Sequence, residues 1–434
     1  MRTFVAWVVV GLLLVSGAGV AVADGVKPPT RMSRDLAELA APPAAKAAAV
    51  GAPGAFSELP LPVDGDWVTI DAVAAADPSA LEAELIALGA RDTAIAGRLV
   101  SARLPIAAIP SLEGVVSLQF ARPAYRRTNV GTVTSQGDHV LRADTARATF
   151  GLDGSGVMVG VLSDSFNCGL GAAGDMASGD LPPAVTVLQD DCPGTDEGRA
   201  ILQIVHDVAP GASLAFATAA TGQAGFANNI RALRDAGASV IVDDVIYLDE
   251  PMFQDGVVAQ AVDEVKASGV AYFSAAGNSA RNAYDHTFVP GQFLAPGTFG
   301  PDFFGGIAHN FGGTVMQRVA GPGGSSFTLA LQWDSPFFSV SGAPGTQNDV
   351  DVYLISGGQV VAAGTTNNLL AKDPVESLSV GCPAPFGSQC VGFLVVVSFA
   401  GTDPGRFKYV VFSSGGNPTL SPATSSGTKA DVSK

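Results

Sequence analysis

Three apolar runs in this 434-residue chain end on polar residues that can do chemistry. The run at 157–162 ends at Ser163-Asp164, that at 240–242 at Asp243-Asp244, and that at 270–273 at Ser274-Ala275-Ala276-Gly277-Asn278. Glu197 opens a helical pattern over 196–208, with Ala200, Ile201 and Ile204 at i+3, i+4 and i+7. Its carboxylate is therefore expected on the apolar, inward face of that helix. A carboxylate on a buried face needs a reason. The structural one is that negative charge is favoured at a helix N-terminus. The chemical one is that two carboxyls held close do not both ionise easily. One keeps a proton, and the pair serves as acid and base at acidic pH.

The elements that would position these residues alternate. Strands are expected at 156–162, 214–218, 240–245 and 270–275, and helices at 196–208, 226–236 and 256–268. Such alternation predicts a parallel sheet with helices on its faces, over 138–300. In open sheets of this kind ligands bind at the carboxyl ends of the strands, where Asp164, Asp243-Asp244 and Asn278 fall.

The same residues carry a resemblance. Gly154-Ser155-Gly156-Val157-Met158-Val159-Gly160-Val161-Leu162-Ser163-Asp164-Ser165 resembles the strand bearing the catalytic aspartate of subtilisin-like serine peptidases. Asp196-Glu197-Gly198-Arg199 followed by Val208-Ala209-Pro210-Gly211-Ala212 resembles that family's second motif, a helix that begins His-Gly-Thr and ends V-A-P-G-A. Ser274-Ala275-Ala276-Gly277-Asn278 is similar to the segment with the oxyanion-hole asparagine, and residues 66–122 to the inhibitory propeptide. The matches cover residues 66 to about 290 in the family's order. The resemblance implies a subtilisin-like α/β core acting on polypeptide substrates by an acyl-enzyme route. Asp164 and Glu197 would be the acid/base pair, and Asn278 the donor to the tetrahedral oxyanion, a contribution of about 3 kcal/mol in such enzymes.

The chain departs from that pattern twice. Glu197 stands where the family has histidine; a glutamate there is similar to the sedolisins, which work in acid with Glu, Asp and Ser. Sedolisins place an aspartate four residues on, where this chain has Ile201, so the acidic partner falls to Asp164. Secondly, no Gly-Thr-Ser occurs in the sequence, so the core is expected to be truncated before its nucleophile and inactive alone. Ser165 and Ser279 lie near the site but are expected to satisfy loop backbone groups. The alternative function is an exported binding protein whose β-rich part contacts polysaccharide, protein or a cell surface.

Around this core the sequence suggests further parts. Residues 1–23, with Arg2, an apolar run and Ala21-Val22-Ala23, read as a signal peptide, which implies a secreted or periplasmic protein. Residues 24–62 read as an Ala/Pro-rich linker, and 63–123 as a small βαββαβ domain, propeptide-like by resemblance. Residues 301–421 read as an all-β sandwich inserted after the core, and 422–434 as a polar tail. In the sandwich, Asp349 and Asp351 share one strand face and Asp334 follows Trp333, so the three carboxylates are a candidate calcium site, against the simpler reading of a solvated face. No cofactor is required by the expected chemistry. The four cysteines are expected to pair as Cys168–Cys192 and Cys382–Cys390. A net charge of −16 disfavours nucleic acid as a partner, and no run after the first residues is long enough for stable membrane insertion.

Overall fold

The computed structural model describes residue 27 and residues 30–40, 57–58, 63–124, 126–127, 137–279 and 281–424. The expected signal peptide and most of the polar tail lie outside them. Among the described residues no helix is long and apolar enough to cross a membrane.

The first unit is a four-stranded antiparallel sheet of β1 (Trp67–Ala74), β2 (Arg91–Ala96), β3 (Leu99–Pro105) and β4 (Leu118–Pro123), in the order β2-β3-β1-β4. Helix α1 (Pro78–Ala87) starts where Asp77 accepts from Ser79 N and Pro78 supplies a preset φ. With the 3-10 helix Ile106–Gly114 it covers one sheet face, burying Leu81, Leu85, Ile109 and Leu112. The βαββαβ order is thus present. The stretch expected as a loose linker is anchored at several points. Met32 and Leu36 pack into this small core, Ser57–Glu58 adds to an antiparallel sheet of the last unit, and Lys27 is buried there.

The second unit holds a five-stranded parallel sheet: β5 (Met158–Ser163), β6 (Val185–Gln189), β7 (Ser213–Thr218), β8 (Val240–Asp243) and β9 (Ala271–Ser274), in the order β9-β8-β5-β7-β6. The chain leaves β5 for the edge strand β6 and returns to β7, whereas from β8 it moves away on the other side to β9, so a topological switch point lies between the carboxyl ends of β5 and β8, where Asp164 and Asp244 follow. Helices α3 (Gly222–Asp235) and α4 (Val257–Ala267) seal one face through Phe226, Ile230, Leu233, Val258 and Val262. The open face of the small domain's sheet lies on these helices and contributes Val73, Ala96 and Leu99 to the same cluster. On the other face α2 (Glu197–Val208) packs through Leu202 on Val159, Val161 and Phe216. Val242 and Phe273 are register neighbours on that side, and Phe273 is 62% and Ile204 44% exposed. The apolar face expected around Glu197 is therefore sealed only in part.

The last unit consists of two antiparallel sheets around one apolar core that includes Phe327, Leu329, Trp333, Val350, Val352, Leu394, Val396 and Phe407. It begins upstream of the boundary expected at 301, because Ala283–Thr287 pairs with Arg406–Ser414 and Pro290–Leu294 with Gly306–His309. Both expected disulfides are formed, Cys168–Cys192 and Cys382–Cys390.

The face of Asp349 and Asp351 is a correction to the sequence reading. The strand Asn348–Ser356 is buried on both sides, and the ammonium of Lys27 sits between the two carboxylates, 2.6 Å from Asp349 Oδ1 and 2.5 Å from Asp351 Oδ1. Asp334 is exposed and lies against Gly405. The three aspartates do not form a cluster of ligand atoms close enough for one ion. The group that does, Cys168, Asp190 and Cys192, has both thiols in a disulfide.

Buried charge also joins the units. Asp71 on β1 is fully buried, accepts from Ser101 Oγ at 2.5 Å, and receives Gln223 Nε2 of α3 at 3.2 Å. Burial, with Asp249 adding to it, pushes its carboxyl up to about 7, against the opposing pull of Ser101, Arg122 and Gln223. A carboxyl raised from its unfolded value favours the folded state below that unfolded value, and the benefit is lost as pH rises through the folded one. Between pH 4 and pH 8 the wild type is expected to lose about 2–4 kcal/mol that Asp71→Asn does not lose. Parallel urea titrations at the two pH values check this, and equal losses in both proteins would show that Asp71 is ionised throughout.

Candidate active site

Asp164 directly follows β5, and only 5% of it is exposed. Its Oδ1 accepts the backbone N–H of Ser165 and, at 3.0 Å, that of Glu197. Its Oδ2 accepts both the N–H and the hydroxyl of Thr195, each at 2.5 Å. These donors hold the segment that leads into α2 and its first free N–H, where negative charge meets the positive end of the helix dipole.

The turn before α2 is held equally firmly. Asp196 adopts a left-handed conformation (φ 59°), and its carboxylate accepts from Cys168 N, Gly169 N, Ser165 Oγ and Arg199 Nη1. Burial pushes this carboxyl up, but the amides of Gly169 and Cys168 and the Arg199 guanidinium outweigh it and hold it below the usual range. Ser165, fully buried, also accepts from Asp196 N at 2.8 Å, which fits the structural part expected of it. Gly198 has no room for a side chain: a Cβ would fall 2.3 Å from the Phe216 ring and 2.8 Å from Ser165 O. That close approach seats the first turn of α2 on the sheet and fixes Glu197 beside β5.

Glu197 is 9% exposed. The side chain that acts most directly on its carboxyl is that of the half-buried Asp244, just beyond β8, and Ser163, whose Oγ is buried with no hydrogen-bond partner among the described residues, lies beside the same aspartate. Burial pushes Asp244 up to about 6; the neighbouring Ser163 and Glu197 side chains oppose this, and the charges of Asp243 and Asp164 add to it. Two neighbouring carboxyls do not both ionise easily, so one member is an acid and the other a base in mildly acidic water. Asp243 is turned to the other side, accepting from Ser274 Oγ at 3.0 Å. The structure thus brings Asp164 and Glu197 together, but through Glu197's backbone, while the proton partner of its side chain is Asp244. The sequence placed Asp244 at this edge without a role. The signal available was its position at a strand end beside the switch point.

Asn278 lies four residues beyond β9 at the same carboxyl edge of the sheet, in an exposed loop. No hydrogen bond among the described residues joins it to Asp164 or Glu197. Ser279 is buried, and its carbonyl accepts from Asn282 N.

No protein-family model matches the chain, and no curated protein matches it. Among solved structures it is similar to the Clostridium perfringens CspB protease, with a TM-score of 0.34 and 11% identity over 62% of this chain. It is also similar to the self-cleaved protease domain of PatA, with a TM-score of 0.24 and 20% identity over 30% of this chain. The match spans 65% of the CspB structure and 52% of the PatA domain. These likenesses set no residue-to-residue correspondence.

Proposed function

We propose that this chain is a relative of the subtilisin-like serine endopeptidases, of a Glu-Asp type, exported, and without its own nucleophile. The observation that carries the reading is the pairing of buried Glu197 with half-buried Asp244 at the switch point of a parallel sheet, with Asp164 fixing the helix that bears Glu197. In such a site the pair would take a serine proton and return it to the leaving amine. Asn278 would donate to the oxyanion once its loop closes over substrate. The small domain would be the propeptide, which its seat on α3 and α4 supports. The antiparallel sheets would be an insertion. The half-open apolar strip of Ile204, Val242 and Phe273 is where a segment bearing a serine nucleophile would pack.

The expected result for the chain alone is no measurable peptide hydrolysis from acidic to neutral pH. Acyl transfer needs an attacking group, and site geometry with water alone leaves about 10³-fold over background in serine-deleted enzymes. A peptidase assay on purified chain compares wild type with Glu197→Ala. Hydrolysis that disappears with Glu197→Ala would show a working nucleophile in these residues and overturn the inactive-core reading.

A further inference from the structure

A second buried ionic cluster lies in the antiparallel unit. The Lys27 ammonium contacts Asp349 and Asp351, donates to Thr366 O at 2.9 Å, and lies 4.6 Å from the centroid of the Phe399 ring. Lys27 is 5% exposed, and Asp349, Asp351 and Glu376 are 2% exposed or less. Glu376 Oε2 accepts from Thr366 N at 3.1 Å, while its Oε1 is buried with no hydrogen-bond partner among the described residues. The Tyr353 hydroxyl donates to Asp351 Oδ2 at 2.7 Å.

An ordinary ion pair needs one carboxylate for one ammonium. Here three buried carboxyls surround a single lysine, so the cluster must hold protons or an uncompensated charge. Burial pushes Asp351 up to about 7 and Glu376 well above the usual carboxyl range. Burial also pulls Lys27 down, but the three carboxyls outweigh it and keep it above the usual lysine value. A protonated carboxylic acid, an amine held against it in a dry site and a third group to carry protons are the ingredients of amide formation.

We propose that Lys27 and Asp351 condense to an intramolecular isopeptide bond, with Glu376 as the proton carrier and Tyr353 as the donor to the reacting carbonyl. Asp349 takes one proton from the Lys27 ammonium. The freed lone pair of Nζ attacks Cγ of protonated Asp351, and the Nζ–Cγ bond forms while the Tyr353 hydroxyl holds the tetrahedral oxygen. Glu376 gives its proton to the departing hydroxyl and takes one from the nitrogen. The Cγ–O bond breaks and one water leaves, with no change of oxidation state. A cavity lined by Arg122, Asp249, Thr366 and Glu376 adjoins the cluster and receives that water. The amine is a minority form, so the step is slow, and exclusion of water from the site keeps the amide from reversing. The bond spans 324 residues and ties the start of the chain to the last unit. A single cut between the small domain and the parallel sheet would then leave the small domain covalently attached.

The test is the intact mass of the exported full chain, with its N-terminus determined by sequencing and its disulfides reduced. The expected mass is lower than that of the sequence by one water, and digestion yields a branched peptide joining Lys27 to Asp351. Glu376→Gln is expected to stay folded by circular dichroism and to keep the full mass. Asp351→Asn is expected to lose ammonia instead of water. A folded wild type that keeps its full mass and releases a linear Lys27 peptide overturns the proposal, whatever the variants do. A branch mapped to Asp349 overturns the assignment of the reacting carboxyl, and water loss undiminished in Glu376→Gln overturns the part given to Glu376.

Discussion

Replacing Arg122 by Met is expected to destabilise the chain by about 3–5 kcal/mol, because it leaves two buried carboxylates without their cation. Arg122 stands on β4 of the small domain, 5% exposed. Its Nε donates to Asp249 in the loop after β8, and its Nη1 donates to Asp373 Oδ2 in the antiparallel unit at 3.0 Å. One guanidinium therefore ties all three units together through its planar fork of donors. Burial and the neighbouring acids act on it in opposite directions, and the acids hold it above the usual arginine value. Burial drives Asp249 up, and the Arg122 charge and hydrogen bond restrain it. Asp373 also accepts from Ser339 N at 2.9 Å, so losing Arg122 disturbs backbone on the far side as well. Urea unfolding at pH 7 measures the cost. The triple variant Arg122→Met, Asp249→Asn, Asp373→Asn is the control: with no charge stranded it should recover much of the loss. A single variant within about 1 kcal/mol of wild type would mean that water or movement of the units resolvates the aspartates.

How much of this was legible follows from what each signal measures. The parallel strands were readable because strands covered on both faces are continuous apolar runs; β5, β7 and β8 stand out for that reason. Strand β6 was not, since it is an edge strand with Val187 and Leu188 about 40% exposed, and its pattern matches neither period. Ala283–Thr287 carries no strand pattern of its own, because Asp285, His286 and Thr287 mask its single apolar pair, and only its partner Arg406–Ser414 makes it a strand. The alternation of Asp349 and Asp351 against Val350 and Val352 is plain in the sequence, but this acidic face is dry. The residue that neutralises them lies more than 300 positions away, in a stretch whose composition reads as linker. Arg122 was invisible for the same reason, with partners 127 and 251 positions off. At the candidate site the residue types were legible and the pairing was not. Motif order supplied Asp164 as the acid for Glu197. Whether Asp164 or Asp244 meets that side chain depends on how two strand ends turn, which periodicity does not encode.

Asp164→Ala is expected to cost about 3–4 kcal/mol, and Glu197→Gln at most about 1, although both residues belong to the same candidate site. The difference follows from what each carboxyl does in the fold. Asp164 receives five donors: the N–H groups of Ser165, Thr195 and Glu197, the Thr195 hydroxyl and, at 3.4 Å, the Ser165 hydroxyl. Hydrogen bonds to a charged acceptor contribute about 1.5–3 kcal/mol each, and removing that acceptor leaves buried donors that cannot all reach water. Asp164→Asn should fall between, because its amide keeps one accepting oxygen but turns an NH2 towards the Thr195 donors. Glu197 by contrast meets another carboxyl, Asp244, and two carboxyls in contact already require a proton on one of them. A glutamine in its place has the shape and the donor of the protonated form, so the fold loses little while the acid/base function is lost. Urea unfolding of the three variants at pH 6 measures the order. A Glu197→Gln cost equal to that of Asp164→Ala would make Glu197 a structural carboxylate of the helix N-terminus, and would remove the main support for an acid/base pair in this chain.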